Sequence, residues 1–243
     1  FFFTVNTFIK YSKPFLSDID SEDVDCISGD FNGDGLVDLI VSSGGSEYSN
    51  FSPELRDRLY INLDKNSFEK EEKAFNELKK FESTSTVSAY DIDQDGDLDL
   101  FLGTRLNTGS YGTQTENYIL TNDGNGVFKD VSEVYLGENK SMGMVTDSEF
   151  VDIDLDGIDE LIVVGEWMPI GVYKLNKGKL INISSDLGLE KSNGLYNTLE
   201  VVINKDSFPD IIIGNHGLNS FFNASREYPL TMYVNDFDGN GRN

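Results

Sequence analysis

Short apolar runs recur along the chain, each entered from a stretch in which acidic and apolar residues alternate. Leu39-Ile40-Val41, Leu100-Phe101-Leu102 and Leu161-Ile162-Val163-Val164 have the continuous apolar character of buried strands. Each follows a shorter strand-like segment, at 24–27, 87–90 and 148–151. Each is followed in turn by a pair of segments that read as an outer hairpin, 58–62 with 67–70, 118–121 with 127–129, and 171–175 with 180–183. Turn-rich loops at 42–53 and 104–115, and a short one through Trp167 and Pro169, separate the second and third segments. Four-strand units repeated in this way predict an all-β fold, a β-propeller with one unit per blade.

The remaining chain is less regular. Residues 1–11 alternate loosely and are rich in aromatics, which predicts a strand whose blade partners precede it. In 71–80, Ala74, Leu78 and the following Phe81 are spaced for a short helix, and a solvated connector explains the same residues equally well. A fourth unit enters at 201–203 and leaves at 210–214. Aligned on Asp210 as its ninth position, its loop begins at Val202 and offers only Asn204 and Asp206, so it predicts no ion. The chain therefore reads as one propeller region over 1–243, with blades at about 24–85, 86–146 and 147–196 and partial units at 1–23 and 197–243. Three full and two partial blades leave sheet faces and edges open, which implies either a longer native protein or missing blades that come from elsewhere.

The acidic stretches carry the chemistry. Asp91-Ile92-Asp93-Gln94-Asp95-Gly96-Asp97-Leu98-Asp99 sets five carboxylates at alternate positions. Such clustering is costly unless a cation neutralises it. Ca²⁺ takes six to eight oxygens at roughly 2.3–2.6 Å. Side-chain oxygens at positions 1, 3, 5 and 9 with a backbone carbonyl at 7 can wrap one ion, and Gly96 at position 6 permits the sharp turn. Asp30-Phe31-Asn32-Gly33-Asp34-Gly35-Leu36-Val37-Asp38 and Asp152-Ile153-Asp154-Leu155-Asp156-Gly157-Ile158-Asp159-Glu160 repeat the pattern. The three loops begin at residues 30, 91 and 152, which is 61 residues apart each time. Each has glycine at position 6 and an acid at position 9. An EF-hand is a poor fit, because its twelfth position would be Val41, Leu102 or Val163 within strands rather than a glutamate before a helix.

The net charge of −24 argues against nucleic-acid binding through a basic surface and against adhesion to anionic lipid. The three loops hold 13 of the 43 acidic residues, so much of the excess lies where metal is expected. Cys26 is the only cysteine and reads as a small buried apolar residue. No apolar run reaches the length of a membrane span. Open acidic loops suit millimolar calcium outside the cytoplasm. A chain that starts at Phe1-Phe2-Phe3 without a basic n-region reads as mature or trimmed, its export signal out of view.

The D-x-[DN]-x-D-G-x-x-[DE]-apolar-apolar unit resembles the FG-GAP or VCBS-type repeat of integrin α-subunit propellers and bacterial surface proteins. Ser52-Pro53-Glu54-Leu55-Arg56-Asp57-Arg58-Leu59-Tyr60, Gly143-Met144-Val145-Thr146-Asp147, Gly165-Glu166-Trp167-Met168-Pro169-Ile170 and Gly214-Asn215-His216-Gly217-Leu218-Asn219 resemble the ASPIC/UnbV-associated bacterial group. The resemblance implies a Ca²⁺-stabilised propeller, usually seven-bladed, exported to the surface of a Gram-negative bacterium. It implies three structural Ca²⁺ sites. The ligands would be Asp30, Asn32, Asp34, the Leu36 carbonyl and Asp38; then Asp91, Asp93, Asp95, the Asp97 carbonyl and Asp99; then Asp152, Asp154, Asp156, the Ile158 carbonyl and Glu160. Glu160 departs from the usual Asp at position 9. Asp236, Asp238, Asn240 and Arg242 begin a further, partial site.

Ions wrapped in this way hold turns at one rim and leave no open position for Lewis-acid catalysis. Partner recognition then belongs to the opposite rim, where long loops carry Tyr48, Phe51, Tyr111, Trp167, His216 and Phe221. Trp167 also suits an inward, loop-bracing role, and His216 between residues of a glycine-flanked turn suits a loop hydrogen bond better than a general base. No nucleophile–base arrangement can be assembled. The favoured function is a non-catalytic surface binding or adhesion module for protein or glycan, or for other parts of its own polypeptide or a surface or secretion complex. The alternative is a glycan lyase or hydrolase with its site at the central channel rim, and a passive filler or secretion passenger is a third reading.

Overall fold

The computed structural model describes residues 2–4, 7–9, 14–64, 67–80, 82–203, 208–217, 219, 221, 223–225 and 227–239. Its strands are antiparallel throughout, joined in chain order by hairpins. The first full sheet runs β3 (Glu22–Gly29), β4 (Asp38–Gly44), β5 (Arg58–Asp64) and β6 (Ser67–Lys70). The second runs β7 (Ser83–Tyr90), β8 (Asp99–Leu106), β9 (Tyr118–Asn122) and β10 (Phe128–Asp130). The third contains β11 (Met144–Val151), β12 (Glu160–Met168), β13 (Gly171–Asn176) and β14 (Lys179–Asn182). It continues through the tail of β12 into the pair β15 (Gly194–Ile203) and β16 (Pro209–Asn215), by Glu166↔Leu195 and Met168↔Gly194.

The second strand of each unit is apolar in a run because sheets cover both its faces. Leu100 and Leu102, with Val87 beside them in the same sheet, enter a core with Ile40 and Leu59 of the first sheet. Phe101, between them, points the other way and packs with Val145, Leu161 and Val163 of the third. Ile162 and Val164 repeat the alternation, meeting Tyr196 and Leu199 of β15. A period of two thus distributes one strand between two cores, and the sheets stack face against face like successive blades.

The inner strands are stitched to the next sheet at a recurring bulge. Pairing slips at residue 24 in β3, 85 in β7, 146 in β11 and 197 in β15. Ser85 Oγ lies 3.0 Å from the Gly103 carbonyl of its own sheet and 2.6 Å from the Val145 carbonyl of the next. Thr146 Oγ1 reaches Val164 O at 3.3 Å and Tyr196 O at 2.9 Å in the same way. Beside the bulges, Asp25 accepts the Val87 N–H at 2.9 Å and Asp147 accepts the Leu199 N–H at 2.7 Å. A bulged residue faces out of the ladder, so its side chain is free to bond across sheets.

Several expectations are corrected. Within 1–11 the described residues form two short strands rather than one: β1 (Phe2–Thr4) and β2 (Thr7–Ile9) pair with each other, since alternation does not say which strand a segment pairs with. The 71–80 segment folds as successive turns, with Ala74 N bonded to Glu71 O and Leu78 N to Phe75 O, rather than as a helix. Ala74 is nonetheless buried, and Phe75 stacks on Phe128 with centroids 5.2 Å apart. Cys26 is exposed, because alternation along β3 sends Asp25 and Ile27 toward the second sheet and Cys26 to the opposite face. The rim loop expected from Gly165 is largely strand, as β12 runs on to Met168. A one-turn helix α1 (Ser132–Tyr135) and a 3-10 turn at Gly137–Lys140 follow β10, where the residue pattern suggested no element. No helix among the described residues is long and apolar enough to cross a membrane.

Candidate metal centre

The three acidic loops are the β3–β4, β7–β8 and β11–β12 connections, at the same end of their sheets. Their backbones follow one path. Position 4 is left-handed in all three (Gly33 φ 73°, Gln94 φ 62°, Leu155 φ 61°), and so is the position-6 glycine (φ 84°, 101° and 90°). Both side-chain oxygens of the position-1 aspartate accept backbone N–H groups: Asp30 from Gly33, Asp34 and Gly35, Asp91 from Asp95 and Gly96, Asp152 from Asp156 and Gly157. The position-5 aspartates accept the N–H of position 7, at Leu36, Asp97 and Ile158. Hydrogen bonds from the loop's own amides therefore partly offset the clustered charge.

Positions 2 and 9 form a pair the residue pattern did not reveal. Phe31 and Ile92 plug into the cores beneath their loops. The acid at position 9 is buried and closes the loop on that plug: Asp38 accepts the Phe31 N–H at 3.0 Å and Asp99 the Ile92 N–H at 2.9 Å. Their other oxygens accept N–H groups of the third strand, Asn62 and Asn122, each at 2.8 Å. These carboxylates brace the loop to the sheet as well as facing its interior. The only forewarning was that position 9 directly precedes an apolar run and so had to enter the sheet.

The loops differ in what else meets their oxygens. In loop two, oxygens of Asp91, Asp93 and Asp99 lie within 4.8 Å of one another, a group able to hold a metal ion. Burial raises the Asp99 carboxyl to about 6, with the neighbouring Asp93 charge adding to it. Burial and the Asp95 charge likewise raise Asp93. In loop one, Asn32 replaces one carboxylate, and its Nδ2 donates to Asp34 at 3.0 Å while its Oδ1 accepts the Asp34 N–H. In loop three, Asp152, Asp154 and Glu160 form a second close group. Here Lys174 reaches in, with Nζ 2.5 Å from Asp154 Oδ2, 2.7 Å from Asp156 Oδ2 and 2.9 Å from Glu160 Oε1. These contacts, led by Asp154, raise the lysine well above its ordinary pKa and lower that of Asp156. Of the further partial site, Asn240 and Arg242 lie outside the described residues, while Asp236 and Asp238 sit in an exposed or half-exposed segment without strand. The fourth unit's loop at 204–207 is also outside them.

At the other end of the sheets, Tyr111 and Trp167 come together across two blades. Trp167 Nε1 donates to Tyr111 Oη at 3.0 Å, and Tyr111 donates to Glu166 at 2.8 Å. Glu166 also pairs with Arg105 at 2.9 Å. Trp167 is half-buried in a left-handed conformation (φ 61°), which turns it out of the β12 ladder toward this cluster. Phe51 and Phe221 are exposed, whereas Tyr48 donates its hydroxyl to the Asp20 carbonyl. His216 is half-buried and tied to Leu195 O through its backbone N–H. A cleft of about 250 Å³ runs past Asp18, Asp57, Arg58 and Lys70. These four are paired, Asp18 with Lys70, Asp57 with Lys80 and Arg58 with Asp23.

No curated protein matches the chain. Residues 30–102 match the family model of the FG-GAP-like repeat, which spans the interval from the start of loop one to the strand that leaves loop two. That match, together with the four-stranded antiparallel sheets that carry it, marks residues 30–102 as an FG-GAP-like repeat segment of the chain.

Proposed function

We propose that the chain is part of a calcium-stabilised β-propeller that serves as an extracellular or cell-surface binding module. The observation that carries the reading is the shared build of the acidic loops. In loops two and three the buried position-9 carboxylate and the acids of positions 1 and 3 bring oxygens within 4.8 Å of one another, and loop one follows the same backbone path. A hard divalent cation satisfies such an oxygen set, and the loop fills its sphere, so the ion's work is to hold a turn rather than to activate a substrate. Ions at this rim leave the opposite rim for recognition. There the Tyr111–Trp167–Glu166–Arg105 cluster offers aromatic faces together with polar groups, the mixture that protein and glycan surfaces engage. Loops of this kind load at the calcium levels found outside the cytoplasm.

The test is a glycan-array and pull-down screen on the chain, run with calcium and with chelator. Calcium-dependent capture that Tyr111→Ala and Trp167→Ala weaken by tenfold or more supports the reading. Ligand capture that ignores both substitutions places recognition elsewhere.

A further inference from the structure

Loop three has as many carboxylates as loop two, five each, and a close oxygen group of the same kind. It differs in its cation. Lys174 lies on β13 opposite Glu160, the residue next to the Leu161↔Tyr173 pair. The same register places Ile61 opposite Asp38 in the first unit and Thr121 opposite Asp99 in the second. Neither side chain carries charge. An ammonium has three N–H donors, and Lys174 Nζ sits against three carboxylate oxygens, one each from positions 3, 5 and 9. Those are positions from which a divalent ion would draw its own ligands.

The position-9 residue is matched to this arrangement. In the first two loops an aspartate accepts an N–H from the third strand, at Asn62 or Asn122. In loop three the longer Glu160 still accepts the position-2 N–H, from Ile153 at 3.1 Å. Its other oxygen is buried, accepts no N–H from the third strand among the described residues, and meets the Lys174 ammonium at 2.9 Å instead. The extra methylene and the lysine occur together, in the one loop that has either.

We infer that Lys174 is the built-in cation of loop three, so that this loop is held closed without a divalent ion and calcium is taken by loops one and two alone. This rests on the calcium reading for those two loops. A tethered lysine does not dissociate, so the third blade keeps its turn when calcium falls, while its neighbours lose theirs.

Native mass spectrometry and equilibrium dialysis against calcium count the ions held by the chain and by Lys174→Thr, which installs the residue found at this position in the second unit. Two ions on the parent chain and three on the variant are expected. Three on the parent overturns the inference and leaves the calcium reading standing. Two on both overturns it as well. None on either protein overturns the calcium reading and the inference with it. A measurement on the parent alone guards against a variant that fails to fold: cleavage by an aspartate-specific endoprotease, mapped by mass. Chelator should open loops one and two to cleavage at least tenfold and leave 152–156 unchanged. Equal opening of all three loops contradicts a lysine-held third loop.

Discussion

The carboxylates at position 9 look like any other acid of the repeat when read as letters, yet they are set apart by burial. Asp99 is 1% exposed and accepts two backbone N–H groups, one from its own loop and one from β9. Replacing it with asparagine puts an amide N–H₂ against a buried donor. D99N should therefore cost about 1–3 kcal/mol in denaturant titrations both with and without calcium. Asp93 is exposed on the same loop, and D93N should lower stability only when calcium is present. Equal calcium dependence of the two losses would contradict the division of labour. The pH response follows from the same burial. With chelator present, the folded Asp99 titrates at about 6 against an ordinary 3.8. The folded state then binds its proton more tightly, and the resulting stability, present below the ordinary value, is lost as pH rises through 6. The gap corresponds to ~3 kcal/mol. Burial raises Asp38, Asp147 and Glu149 in the same direction. Urea midpoints of the chelated chain should thus be higher at pH 5 than at pH 7.5, and a rise with pH would refute this.

At the scale of elements, the residue pattern located every strand of the three full sheets, because apolar runs such as Leu100-Phe101-Leu102 and the 61-residue loop spacing are local signals. It underestimated strand length at the ends far from the acidic loops. There β8 runs on to Leu106 and β12 to Met168 through polar residues whose bonding partners lie in distant segments. It also missed the stitching of inner strands to neighbouring sheets, since nothing in the letters Ser85 or Thr146 marks a bulge. The close approach is nonetheless strict: a Cβ at Gly103 would fall 2.7 Å from Val145 Cγ1 of the next sheet, and within the third sheet a Cβ at Gly165 would fall 2.1 Å from the Met144 carbonyl beside the bulge. Gly165→Val should therefore destabilise the chain by more than the ~1 kcal/mol typical of point substitutions, read as a lower urea midpoint. Phe101→Ala, which empties one side of the shared strand, should cost about 3–5 kcal/mol. A loss under 1 kcal/mol would mean that the second and third sheets do not share a core.

At the scale of the whole molecule, three sheets stack in sequence, with their acidic turns at one end and their aromatic-bearing loops at the other. The metal reading was legible because it lies in the composition and spacing of nine-residue loops. The inequality of the loops was not, because Lys174 comes from the third strand and meets Glu160 only through sheet register. The most direct test of the account is a calorimetric melt of the full chain in millimolar calcium and again in excess chelator. An ion at about 100 times its dissociation constant adds roughly 2.7 kcal/mol per site. For a chain of this size each kcal/mol moves the midpoint by about 2–4 °C, so two loaded loops predict a fall of roughly 10–20 °C on chelation. The same midpoint in both buffers would contradict calcium as the cation that holds these turns.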